Sequence, residues 1–133
     1  MAGAASPLDL AVRARDRDTV AMVAEAVAAR RMRLAFQPVV IAADTGRTGF
    51  YEGLIRVLDP TGRIIPARDF IDAVDPTETG REMDCAALAL GLQALAERRD
   101  LRLSINLSAR SVGYPRWMRV LQQVPGSVLW LLA

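Results

Sequence analysis

Phe50-Tyr51-Glu52-Gly53-Leu54-Ile55-Arg56 reads as a β-strand with two chemically different faces. Its period of two puts Glu52, Leu54 and Arg56 on one side and Tyr51, Gly53 and Ile55 on the other. Leu103-Ser104-Ile105-Asn106-Leu107-Ser108 repeats the arrangement, with Ser104, Asn106 and Ser108 as its polar face. Each strand therefore has an apolar side suited to packing under helices. In an open one-sided sheet the polar side would meet water. In a barrel covered outside by helices it would point into the lumen, where barrel enzymes place their sites near strand C-terminal ends. The alternation alone leaves both arrangements open.

The flanking sequence supplies the other elements. Upstream, Val20, Val23, Ala24 and Val27 stand at helical spacing between about Asp18 and Arg31, with Asp18 or Thr19 available as a cap. Half the residues of Leu34 to Ile41 are β-branched or aromatic, which reads as a strand closed by the turn signal Asp44-Thr45-Gly46-Arg47. A second strand spans about Thr48 to Leu58 and ends at Asp59-Pro60-Thr61-Gly62. Pro66 suits the first position of a short helix reaching about Val74. Thr79 and Glu82 have capping-box spacing at the start of a longer helix that buries Leu88, Leu92 and Leu95 and runs to about Arg99. Leu101 to Ser108 forms the third strand, and a short helix covers Pro115 to Gln122. Two adjacent strands, then helices, then another strand predict an α/β layer or barrel.

Composition narrows the chemistry. The 133 residues are 52% hydrophobic and 24% charged, as expected of one ordinary soluble domain. All the side-chain positive charge is arginine, because lysine and histidine are both absent. Triads built on histidine and imidazole metal sites are thereby excluded within these residues. Acid–base or metal work falls to carboxylates, amides and hydroxyls. Cys85, the single cysteine, stands in an apolar helical run and reads as a buried structural residue. No apolar run approaches the roughly 20 residues that span a bilayer, and the start lacks a secretory pattern. The expected compartment is the cytoplasm, with no membrane segment and no nucleic-acid polymer as partner.

Four short motifs then stand in an informative order: Phe36-Gln37-Pro38-Val39-Val40, Tyr51-Glu52-Gly53-Leu54-Ile55-Arg56, Pro66-Ala67-Arg68-Asp69-Phe70-Ile71 and Ser104-Ile105-Asn106-Leu107-Ser108. Together they resemble the opening strands of the EAL-domain family of cyclic-di-GMP phosphodiesterases, over roughly Leu34 to Leu121. Gly53 replaces the alanine usual at the centre of the signature. The resemblance implies a partial TIM-like (β/α) barrel of the EAL type, first strands and helices only. Its expected organisation is a lead-in over residues 1–17, the N-terminal part of an EAL domain over 18–122 and a divergent tail over 123–133.

The resemblance also implies roles. Glu52 and Asn106 match the family's metal ligands for Mg2+ or Mn2+. Arg56 matches the arginine that meets a phosphate of cyclic di-GMP, and Gln37 and Leu54 match positions lining the ligand. Phe70 either flanks a guanine or belongs to the core. The implied reaction is metal-dependent hydrolysis of cyclic di-GMP to the linear dinucleotide. A full barrel takes roughly 250 residues, and the family's later ligands, among them a lysine and a paired Asp-Asp, are not in this sequence. The expectation is therefore an inactive isolated chain that self-associates through an open sheet edge. The alternative is a degenerate module binding cyclic di-GMP or a protein partner without catalysis.

Overall fold

The computed structural model describes residues 5–123 and 130–132. Its first helix, α1, spans Pro7–Ala28, so it begins well before the Asp18 expected from periodicity. A capping box starts it: Asp9 N donates to Ser6 Oγ and Ser6 N to Asp9 Oδ2, both at 3.1 Å, with Pro7 at the first helical position. Only Val23 and Ala26 in its second half are buried, while Leu8, Leu10 and Val12 are exposed. The first half thus carries no core-facing stripe for periodicity to find. Thr19 is no cap but a mid-helix residue whose hydroxyl donates to Arg15 O at 2.9 Å.

Strands β1 (Met32–Ile41) and β2 (Asp44–Leu58) form a long antiparallel hairpin. The turn falls on residues 42–43 rather than on Asp44 to Arg47. Asp44 instead opens β2, its Oδ1 accepting from Gly46 N at 3.2 Å, and the ladder is irregular around Val40. Strand β3 (Ile64–Ile65) pairs back onto the end of β2. The short helix expected from Pro66 to Val74 is two pieces, a 3-10 turn over Ala67–Asp69 and the single α-turn α2 (Ile71–Val74). Phe70, at φ −136°, breaks them apart and drops its ring into the core.

Helix α3 (Glu78–Glu97) starts earlier than Thr79. Its N-cap is Thr77, which makes no side-chain cap bond, and Thr79 is buried within the helix, so the expected capping box is absent. A Cβ at Gly80 would come within 2.7 Å of Val74 O and 2.9 Å of Asp75 O, so α3 can begin beside α2 only with glycine there. Strand β4 (Leu103–Asn106) is shorter than the expected Leu101 to Ser108. Helix α4 covers Pro115–Leu121 and strand β5 Trp130–Leu132.

The sheet order is β1-β2-β4-β5, with β2, β4 and β5 parallel. Helices α1 and α3 cover one face. Val23, Val57, Phe70, Val74 and Met83 form one core cluster, and Ala87, Leu95, Leu103 and Ile105 form another between α3 and the sheet. Fully burying each Val, Leu, Ile, Phe or Met side chain among these contributes about 1.5–3 kcal/mol. Cys85 packs with Leu88, Leu107 and Trp117 under α4, matching the structural role read from its surroundings. Leu88 and Leu95 are buried, and Leu92 packs partly buried against two clusters. No helix among the described residues is long and apolar enough to cross a membrane.

Candidate ligand and metal site

The face away from the helices carries the polar residues in register. Gln37 on β1 is the cross-strand partner of Glu52, and Glu52 is the partner of Ser104 on β4. Asn106 ends β4 two residues further on, on the same side as Ser104. Its Nδ2 donates to Glu52 Oε1 at 2.7 Å. The structure therefore brings Gln37, Glu52 and Asn106 onto one surface, with Glu52 and Asn106 in direct contact. Ser104 Oγ is buried there and has no hydrogen-bond partner among the described residues.

The next rows along the hairpin pair Ala35 with Leu54 and Arg33 with Arg56. Leu54 thus stands between Glu52 and Arg56 on the strand. Arg56 makes no ion pair among the described residues. Asp59, three residues on, serves its own turn: Oδ1 accepts from Thr61 Oγ1 at 2.7 Å, Thr61 N at 2.8 Å and Arg63 N at 3.0 Å. The Thr61 hydroxyl and the Arg63 amide hold its carboxyl below the usual aspartate value. Phe70 is in the core and does not reach this face.

The donor chemistry admits a hard divalent cation in part. Glu52 brings carboxylate oxygens, and because Asn106 uses its NH2 on Glu52, its Oδ1 is left for another partner. Two oxygen-bearing groups are fewer than the six or so that such a cation takes. Among the described residues no group of three histidine, cysteine, aspartate or glutamate side chains gathers to hold a metal.

Behind the rim, Asp84 on α3 secures the segment that follows Asn106. Its Oδ2 accepts from Ser108 N at 3.1 Å and from the Ser111 hydroxyl. Arg81, nearly buried, lies 3.8 Å from Asp84 and 3.2 Å from Asp75, which in turn meets Arg110 at 3.5 Å. Burial pushes the Asp84 carboxyl up, opposed by Ser111, Ser108 and Arg81. Sequence pattern could not single out Asp84, because its partners lie 24 and 27 residues away.

Comparison with known proteins fits this geometry. The family model "EAL domain" matches residues 20–128. The FimX EAL domain of Pseudomonas aeruginosa, solved bound to c-di-GMP, is 27% identical, with 86% of this chain and 49% of that one covered at a TM-score of 0.70. The Xanthomonas citri FimX EAL domain in complex with c-diGMP is 22% identical over 92% of this chain and 51% of that one, at a TM-score of 0.75. The PaMucR phosphodiesterase in its c-di-GMP complex is 21% identical over 86% and 50%, at 0.63. The chain spans about half the length of these solved structures. No curated protein matches it. A family match over most of the chain, on a partial sheet of the same architecture, makes this a member of the EAL-domain family.

Proposed function

We propose that the chain supplies part of an EAL-type cyclic-di-GMP phosphodiesterase site, whose reaction is metal-dependent hydrolysis to the linear dinucleotide. The observation that carries this reading is the 2.7 Å contact of Asn106 with Glu52 at one rim of two parallel strands. Glu52 and Asn106 Oδ1 would hold Mg2+ or Mn2+. A cation bound there lowers the pKa of water and offsets phosphate charge. Asn106 orients the Glu52 carboxylate by its hydrogen bond. Arg56 offers a guanidinium fork to a phosphate, and Gln37 and Leu54 line the ligand on either side of Glu52. The FimX domain that binds c-di-GMP supports the choice of ligand.

Among the described residues no group of three histidine, cysteine, aspartate or glutamate side chains gathers to hold a metal, and Glu52 with Asn106 does not by itself fix the water and phosphate as metal catalysis requires, so this chain alone binds without cleaving. That donor count also favours a second reading, a module that binds cyclic di-GMP or a protein partner and never turns it over. Incubation of the purified chain with cyclic di-GMP and Mg2+ or Mn2+, followed by chromatography, should yield no linear dinucleotide. Product formation would contradict the partial-site reading.

On this reading the protein works in the cytoplasm. It also self-associates, because β1 pairs only with β2 among the described residues and leaves Phe36, Val40 and Ile41 exposed beside its outer edge. Sedimentation velocity should show a dimer or larger species. A single sharp monomer boundary at all concentrations would refute the association.

A further inference from the structure

Arg33 and Arg56 are direct cross-strand partners on the β1–β2 ladder, on the same face as Gln37 and Glu52. Like charges placed opposite each other in this way repel. Neither guanidinium has an ion-pair partner among the described residues. Nearby Arg31 differs, donating to Leu58 O at 3.1 Å and lying 3.5 Å from Glu25. The nearest acid along the chain, Asp59, uses its Oδ1 on three turn contacts. Two repelling cations therefore stand without a counterion among the described residues.

They also share a space. Arg33 and Arg56 line a cleft of about 320 Å3 whose other walls include Ala35, Leu58 and Ile64. Ile64 is 58% exposed, and at Gly62, with φ +87°, a Cβ would meet nothing within 4 Å, so this end of the cleft is open. A cleft lined by two arginines together with aliphatic side chains suits an anion attached to an apolar or aromatic body. Guanidinium forks match phosphate oxygens in a way that a single point charge does not.

We propose that Arg33 and Arg56 form a phosphate clamp, taking one phosphate group between them while Leu58 and Ile64 support the apolar part of the same ligand. The phosphate cancels the repulsion across the ladder. Assigning that phosphate to cyclic di-GMP rests on the function proposed above; the clamp itself does not.

The test follows the arginine Nε–Hε resonances of the purified chain by NMR, with inorganic pyrophosphate as the first probe. Arg33 and Arg56 should shift together along one saturation curve, and Arg33→Gln should weaken binding by about tenfold, with Arg33→Lys recovering part of it. Arg33 is exposed and faces a like charge, so Arg33→Gln should melt no lower than wild type and Arg33→Lys about as wild type. A stationary Arg33 resonance, an Arg33→Gln titration like wild type, or no pyrophosphate binding would each overturn the clamp. Cyclic di-GMP is then added to the pyrophosphate complex. Displacement supports both the clamp and its assignment, whereas pyrophosphate that binds through Arg33 but is not displaced leaves the clamp standing and sinks the assignment.

Discussion

Asn106 Nδ2 lies 2.7 Å from Glu52 Oε1, although the two residues are 54 apart in sequence and belong to different strands. The contact is at the surface, so its share of stability is small while its share of site geometry is large. Asn106→Ala should cost under about 1.5 kcal/mol of folding stability, read by urea denaturation, and should abolish any Mn2+ binding detected by water proton relaxation. A large stability loss with unchanged Mn2+ binding would make the pair a structural bond.

Asp84 gives the opposite expectation. Asp84→Ala leaves Ser108 N and the Ser111 hydroxyl without their acceptor and should cost about 1–3 kcal/mol. Stability that survives this change would mean that the segment after Asn106 is held by something else.

The same residue sets a pH dependence. Burial raises the folded-state Asp84 carboxyl above the ordinary 3.8, so the folded chain keeps a proton that the unfolded chain has already lost. The Asp84 contribution therefore falls as pH rises from the unfolded value through the folded one. Asp84→Asn has no such charge to bury and should gain on wild type as pH climbs through that window. Urea midpoints measured from below 3.8 to neutrality check the sign. A wild type that gains on Asp84→Asn with rising pH contradicts it.

Gly80 tests the packing of α3 on α2. Alanine would favour the helix by up to about 1 kcal/mol, but its Cβ would meet the backbone at Val74 O and Asp75 O, and overpacking of that kind costs about 1–3 kcal/mol. Crowding against backbone should win, and Gly80→Ala should lower the melting temperature. Gly53→Ala should be milder, because the nearest atoms, Leu34 Cδ2 at 3.0 Å and Leu103 Cδ1 at 3.2 Å, are side-chain tips able to shift. A Gly80→Ala chain more stable than wild type would refute the close approach.

Much of the fold was legible because alternation and apolar spacing report burial. The two-faced reading of β2 and β4 placed Glu52 and Asn106 on one surface, and the apolar positions of α3 identified Leu88 and Leu95. The failures have physical causes. The first half of α1 buries nothing, so only its Ser6–Asp9 capping box marks it. The Thr79–Glu82 spacing makes no cap because Thr79 is buried inside the helix, and the hairpin turned early at residues 42–43, where no glycine or proline signals it. Arg33 was not legible as a partner of Arg56, because register is a property of the ladder and not of either strand.

Calorimetric titration of the purified chain with cyclic di-GMP in the presence of Mg2+ decides whether this face belongs to a cyclic-di-GMP site. Binding should saturate, and Arg56→Gln should weaken it by about tenfold while melting no lower than wild type, Arg56 having no ion pair among the described residues to lose. No saturable binding by the wild-type chain, or binding that Arg56→Gln leaves untouched, would contradict the cyclic-di-GMP assignment.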